Sequence, residues 1–232
     1  MARSIPAQRL QQLVEAATGV FIAQGYQRTQ MEDVARALGI AKGTLYGYVE
    51  SKAALLDAAV RYADGRERLP DTSALPLATP APGSTAASVR ARLAAEAHDL
   101  ELVAALGRKS PRDAAAELAG IVRDLYLRME RNRRSIKLVD RCALDQPELA
   151  AVWFDEGRWT YHAALVQYLE QRIAQGLLRS VSSTAVAARM VLETIAFWAV
   201  HRHWDPSPQQ VSEHDVQTTI VEMIVHGLVE EK

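Results

Sequence analysis

The chain has 232 residues, of which 49% are hydrophobic, and its formal net charge is -1. This length is enough for one large core, or for a small domain beside a larger one. The balanced charge excludes a uniformly basic nucleic-acid-binding protein, so a nucleic-acid interface has to be sought locally.

Targeting and redox features are sparse. No apolar run approaches the ~20 residues that cross a bilayer, and no apolar signal segment follows the first residues. The single cysteine, Cys142, excludes an intramolecular disulfide and fits a reducing compartment. We therefore expect a cytoplasmic protein that has no membrane contact.

Apolar residues recur with helical spacing through most of the chain, and sustained strand-like alternation is absent. The first such stripe runs from Leu10 to Phe21; Ser4 is a candidate N-cap and Gly25 a candidate stop. These patterns predict an all-α fold.

Two short helices follow, separated by a tight turn. Thr29 and Glu32 have the spacing of a capping box for a helix that ends at Gly39. A third helix is expected from about Lys42, with Leu45 and Val49 on its inner face, before Ser51 caps a fourth. Two short helices joined by a glycine turn are typical of a helix-turn-helix.

Residues 69–85 contain four prolines and one glycine, which indicates a linker or an irregular insertion. We therefore predict a helix-turn-helix domain over residues 1–64 and a larger helical domain over residues 65–232. The larger domain carries further helix-start signals and one expected break near Asp99. The start signals are Ser110 to Asp113, Asp145 to Glu148, and Ser212 with Glu213.

The outer face of the third helix has chemistry suited to DNA. The face and its flanks consist of Lys42, Gly43, Thr44, Gly47, Tyr46 and Tyr48. Glycines allow close backbone approach, while hydroxyl groups can donate to phosphates or contact thymine methyl groups. Lys52, in the first turn of the fourth helix, could share a phosphate with backbone amides. The alternative is a plain three-helix bundle, since charge over residues 1–60 is nearly balanced.

Residues 10–56 closely resemble the TetR family of bacterial transcriptional regulators. The resemblance rests on an ordered set of residues: Gly25-Tyr26, Thr29, Val34-Ala35, Gly39, Gly43-Thr44-Leu45-Tyr46 and Lys52. It implies a homodimer that binds double-stranded DNA and is released by a small-molecule effector. It further implies roles for six residues: Lys42, Thr44, Tyr46 and Tyr48 in or beside the major groove, and Thr29 and Lys52 on phosphates. Three residues depart from the family pattern and bear on affinity and sequence preference: Ala41, Gly47 and Val49.

The larger domain offers an interface and a pocket. Residues 184–200 are apolar on nearly every side, which predicts burial against a partner subunit together with residues 158–176. A central core helix of a monomer is the alternative. Aromatic and sulfur-containing side chains could line a mostly apolar effector pocket, or could be ordinary core residues. The pocket candidates are Tyr126, Met129, Cys142, Trp153, Trp159 and His162.

Two other classes of function remain as alternatives: an architectural DNA-binding protein without a ligand, and an enzyme. No nucleophile elbow, phosphate loop or paired catalytic motif is present, so we expect neither catalysis nor a cofactor. His201 and His203 lack the i, i+4 spacing of helical zinc ligands, so no metal site is expected. Cys142 has no second cysteine to complete a redox switch.

Overall fold

The computed structural model describes residues 7–229, in which the regular elements are helices and no β-strand is present. The suggested N-cap at Ser4 lies outside the described residues. The helices in chain order are α1 (Ala7–Gln24), α2 (Met31–Leu38), α3 (Lys42–Leu45), α4 (Lys52–Tyr62), α5 (Ser84–Ala97), α6 (Glu101–Gly107), α7 (Ala114–Arg131), α8 (Arg133–Cys142), α9 (Pro147–Ala150), α10 (Arg158–Ala174), α11 (Thr184–Ala199) and α12 (Glu213–Leu228). A π-helical stretch, Ala151–Gly157, joins α9 to α10. The all-α prediction is confirmed, as is the break near Asp99.

The chain divides into two compact units, each made of two segments. The first unit contains the residues up to 91 together with Arg134–Asp155, and the second contains Arg92–Arg133 together with the residues from Glu156 onward. The boundary expected at residue 64 therefore does not separate the units. Residues 69–85 fold as part of the first unit, and a segment distant in sequence completes it.

The core of the first unit lies between α1, α2 and α4. Phe21, Val34 and Leu55 are fully buried there, as their helical spacing predicts. Asp64, just after α4, accepts hydrogen bonds from the backbone N–H groups of Arg134 (3.0 Å) and Ser135 (3.2 Å). This carboxylate satisfies unpaired N–H groups in the first turn of α8, which otherwise lack intrahelical partners.

In the second unit α7 packs against α6, α11 and α12, while α10 packs against α6 and α11. A buried ion pair joins three of these helices. Arg172 donates to both carboxylate oxygens of Glu117 (2.8 and 3.1 Å) and to the carbonyl oxygen of Ala105 (2.8 Å). The hydroxyl of Tyr168 donates to the same carboxylate (3.2 Å). A buried guanidinium is stable here because charged and polar groups meet its donors.

Capping was predicted correctly only in part. Ser51 and Ser212 are N-caps, as expected, and accept the N–H groups of Ala54 and Asp215. The proposed cap Ser110 is wrong: α7 begins three residues later, where Asp113 accepts the N–H of Ala116. None of the described helices is long and apolar enough to cross a membrane.

Candidate DNA-binding site and effector-domain residues

The turn between α2 and α3 has the geometry of a helix-turn-helix. Gly39 adopts a left-handed conformation (φ 68°), and the N–H of Ile40 reaches back to the carbonyl of Ala35 (3.0 Å). Such a C-terminal cap favours glycine because it has no Cβ to strain. Beyond the turn, Leu45 is fully buried on the inner face of the third helix, as predicted. Val49 is also fully buried, but the helix ends at Leu45, so the prediction that Val49 lies on it is wrong.

The opposite face of α3 is open to solvent. Lys42, Gly43 and Thr44 are exposed, and 43% of the surface of Tyr46 is accessible. A Cβ added at Gly43 would meet no atom within 4 Å, so a nucleic-acid backbone can approach closely there. Ala41 provides no side-chain cap, as its chemistry predicts. The face presents one ammonium, one aliphatic hydroxyl and one phenol ring.

Two of the expected DNA contacts are side chains of the interior. Only 7% of the surface of Tyr48 is accessible, so it offers little area to a groove. Thr29 is buried, and its hydroxyl donates to the carbonyl of Gly25 (2.7 Å). The capping box expected from Thr29 and Glu32 is therefore wrong: α2 is capped at Gln30, whose N–H donates to Asp33 (2.9 Å).

Lys52 braces the loop between α1 and α2. Its Nζ donates to the carbonyl oxygens of Tyr26 (3.0 Å), Thr29 (3.0 Å) and Gln27 (3.4 Å). The ammonium also lies 4.4 Å from the centroid of the Tyr26 ring, within the range of a cation–π interaction. A phosphate would therefore have to replace one of these partners, of which Gln27 is the most distant.

Residues 134–155 supply a support for the same loop that sequence analysis missed. Asp145 accepts the backbone N–H of Gln27 (3.0 Å), and Arg141 donates to the carbonyl of Gln24 (3.1 Å). The helix start predicted at Asp145 to Glu148 is confirmed by α9, but Gln146 is its N-cap, and Asp145 binds the loop instead. No local pattern reveals such a pair, because over 100 residues separate its members.

The six predicted effector-binding residues divide between the two units. In the second unit, the ring of Trp159 contacts His162 edge to face, with centroids 5.2 Å apart. Trp159 is exposed, whereas the Nε2–H of His162 donates to the carbonyl of Ala185 (2.9 Å). Tyr126 and Met129 lie together on α7; Tyr126 is buried and Met129 is half-buried.

The first unit contains the other two, Cys142 and Trp153. Trp153 is half-buried, and its indole N–H donates to Asp140 (3.1 Å). Cys142 is fully buried, and burial raises the pKa of its thiol to about 12. A thiol of this kind stays protonated at neutral pH and is a poor nucleophile.

A charged cluster in the second unit surrounds Glu213. Its carboxylate accepts hydrogen bonds from the Tyr126 hydroxyl (2.6 Å) and Arg202 (2.7 Å), and it lies 3.4 Å from both Arg133 and His203. Burial and the bond to this carboxylate raise the pKa of the Tyr126 phenol. Among the described residues, no group of three or more acidic, histidine or cysteine side chains is placed to hold a metal ion.

A mostly apolar groove of about 940 Å³ runs between α11 and α12. Met190 and Met223 line it, with 66% and 71% of their surfaces accessible, and the apolar face of α11 continues through exposed Val186 and Phe197. None of the six predicted effector-binding residues lines this groove. The near-continuous apolar character of residues 184–200 was the sequence signal for it.

Two family models match the chain. The model of bacterial regulatory proteins of the TetR family matches residues 13–59, and that of the C-terminal domain of AefR-like transcriptional repressors matches residues 127–226. No curated protein sequence gives a significant match.

Solved structures with the same fold span almost the whole chain. The ketosteroid transcriptional regulator KstR2 of Mycobacterium tuberculosis is 16% identical, with 98% of each chain covered and a TM-score of 0.59. A TetR-family regulator from Rhodococcus RHA1 is 16% identical, covering 98% of this chain and 100% of its own, with a TM-score of 0.55. AibR, in complex with isovaleryl coenzyme A and operator DNA, is 18% identical, covering 93% and 97%, with a TM-score of 0.51. The helix-turn-helix geometry and both family models agree: the chain belongs to the TetR family of DNA-binding transcriptional regulators.

Proposed function

We propose that this protein is a homodimeric, cytoplasmic repressor that binds a palindromic operator and leaves it when a small effector binds its second unit. The observation that carries operator binding is the short α3 helix. Its inner residue Leu45 is fully buried, while Lys42, Gly43 and Thr44 on the other side face solvent. A helix anchored on one side and open on the other can enter a major groove.

Operator binding is tested by selecting duplexes from a random pool with the full-length protein. Two-fold symmetry predicts a palindrome whose half-site centres lie one helical turn apart (~34–36 Å) or a multiple of it. Tyr46→Ala should weaken binding to the selected duplex strongly, and Tyr46→Phe separates the phenol hydroxyl from the ring. Lys52→Ala should reduce the slope of log affinity against log salt concentration by about 1, which is the change expected for the loss of one phosphate contact. Recovery of only unrelated, asymmetric sequences would contradict this function.

The dimer is proposed to form through α11 and α12. Met190 and Met223 are exposed on the facing sides of one apolar groove, and a second copy of the same pair of helices would cover them. By contrast, α10 has Leu165, Tyr168 and Leu169 buried, and it packs on α6 and α11 of its own chain. The exposed apolar groove therefore favours a dimer interface formed by α11 and α12, in place of the one predicted from α11 and residues 158–176.

Light scattering at micromolar concentration tests this interface. Met190→Arg and Met223→Arg should yield monomers that keep their helical circular dichroism, because an unpaired charge is costly to bury. Leu144→Arg is the matched control: Leu144 is 67% exposed but belongs to the first unit. A wild-type monomer, or a dimer unaffected by both methionine variants, would overturn the proposed interface.

The effector is proposed to be small and mostly apolar, with an aromatic compound expected. Tyr126, Met129, Trp159 and His162 supply rings, a thioether and a few polar atoms within one compact unit. AibR, which is similar in fold, was determined with isovaleryl coenzyme A and operator DNA, so acyl-coenzyme A thioesters are a second class of probe.

A thermal-shift screen with both classes of probe, followed by operator titrations, tests release. An effector acts only through different affinities for two arrangements of the dimer, and a coupling of about 1–3 kcal/mol would change operator affinity ~5–150-fold. Equal operator affinity at saturating effector would exclude this mechanism and favour the architectural alternative.

A further inference from the structure

The proline-rich segment after α4 folds back onto the helix-turn-helix. Leu77 pairs with Val49 in an isolated parallel bridge. The N–H of Leu77 donates to the carbonyl of Tyr48 (2.8 Å), and the carbonyl of Leu77 accepts the N–H of Glu50 (3.0 Å). We call residues 77–79 the strap.

The strap also holds the start of α4. The backbone N–H of Thr79 donates to the Glu50 carboxylate (2.8 Å), and its hydroxyl donates to the Oγ of Ser51 (2.9 Å). Ser51 is the N-cap of α4 and accepts the N–H of Ala54 (3.1 Å). Leu77 and Thr79 therefore bind both the segment that follows α3 and the N-cap of α4.

The short helix α3, whose open face is proposed to enter the major groove, needs such a support. Only Lys42–Leu45 is α-helical, and Ala41 gives no side-chain cap. A single helical turn has little stability of its own, because nucleation fixes several residues for one hydrogen bond. Tyr46 follows directly in a turn that leads to the strap contacts at Tyr48 and Glu50.

We propose that the strap is a positioning element for operator recognition: without contacting DNA, Leu77 and Thr79 hold the end of α3 against α4 in the orientation that the major groove requires. The inference rests on the proposed operator binding. It predicts that loss of the strap contacts lowers affinity for the operator more than affinity for unrelated DNA, which depends on charge.

The first experiment compares Leu77→Pro, which removes the N–H, with Leu77→Ala, which keeps both backbone bonds. The probes are the duplex selected with wild-type protein and a scrambled duplex, titrated with the full-length chain. Leu77→Pro should bind the selected duplex about tenfold more weakly (~1.4 kcal/mol) and the scrambled duplex equally well. Leu77→Ala should stay within about twofold of wild type for both.

A second pair avoids the backbone. Thr79→Val removes the hydroxyl that reaches Ser51, and Thr79→Ser restores it. The ratio of selected to scrambled affinity should fall about threefold in the first and recover in the second. Thr72→Ala, also in the segment between α4 and α5 but outside the strap, is the control. A merely structural role would lower the melting temperature without changing this ratio at a temperature where every variant is folded.

The outcomes separate this inference from the proposed function. If wild type selects a symmetric duplex and both Leu77→Pro and Thr79→Val keep its specificity ratio, the positioning role is wrong and operator binding stands. If wild type selects no symmetric duplex, both fail. Hydrogen exchange on the free protein gives a readout that needs no DNA: the amides of Leu77 and Glu50 should exchange slowly, and fast exchange at both would overturn the strap.

Discussion

One oxygen of Asp145 accepts the backbone N–H of Gln27 at 3.0 Å, although 118 positions separate the two residues. The same oxygen would lie 2.8 Å from a Cβ added at Gly25. A carboxylate from a distant segment thus satisfies the loop between α1 and α2 and fills the space beside its glycine.

Gly25→Ala should destabilise the protein by about 2 kcal/mol or more, because Gly25 has a φ of 81° and an added methyl group would also meet Asp145. Urea denaturation measures the loss. Gly43→Ala is the matched control, since nothing lies within 4 Å of its Cβ position. The loss of unfolding free energy caused by Gly25→Ala should be smaller, but not zero, in an Asp145→Ala background. Equal stability of the two glycine variants would contradict this account.

Arg172→Met should cost about 3–5 kcal/mol of unfolding free energy, because it removes the buried cation that pairs with the Glu117 carboxylate at 2.8 Å and leaves only the more exposed Arg108, 3.4 Å away. Adding Glu117→Gln should recover part of the loss in a double-mutant cycle. The exposed pair Arg189 and Glu193, 2.7 Å apart, provides the control, and Arg189→Met should cost under about 1 kcal/mol. A small loss of stability in Arg172→Met would contradict this account, because it would show that the other partners of the Glu117 carboxylate, or water, are sufficient to satisfy it.

The helix-turn-helix was predictable because its signals are local. Gly39 and the buried pair Leu45 and Val49 lie within a few residues of the turn that they specify. The exposed face of α3 follows from the same helical spacing.

Side chains with distant partners defeated the local rules. Asp145 lies beside a helix start, yet its carboxylate bonds to Gln27, 118 positions away. Residues 69–85 have the composition of a linker, which says nothing about the backbone bridge that Leu77 forms with Val49. Backbone hydrogen bonds do not depend on side-chain identity, so composition could not reveal the strap.

His203 should make the protein less stable as pH falls below about 6.5. Burial and the cations Arg133 and Arg202 lower its pKa from the ordinary 6.5, while Glu213 acts in the opposite direction. The unfolded chain therefore takes up the proton at a higher pH than the folded chain does, and stability is lost as pH falls through 6.5 toward the lowered pKa.

Urea denaturation across this pH range, in wild type and His203→Gln, measures the effect. The variant should lose less stability on acidification than wild type, and His98→Gln serves as a control for the removal of a histidine. Parallel pH profiles for wild type and His203→Gln would contradict the shift.

The Cys142 thiol should resist alkylation by iodoacetamide in the folded protein at pH 8. Its side chain is fully buried and its pKa is raised to about 12 by burial, so the reactive thiolate is scarce and inaccessible. Mass spectrometry should show modification only at the rate of unfolding and rapid modification in concentrated guanidinium chloride. Fast labelling of the folded chain would reopen a redox role for this residue.

The interleaved order of the two units has a consequence for protein synthesis. A ribosome makes Asp64 and Gln27 well before it makes their partners in 134–155, and it makes residues 92–133 of the other unit in between. The first unit cannot acquire all its contacts until residues 92–133 of the other unit have been translated, so folding in simple N-to-C order by domain is not open to this chain. A fragment that stops at residue 64 would emerge with the loop between α1 and α2 unsupported, whereas a nascent chain that reaches Asp155 contains every partner that the DNA-binding unit uses.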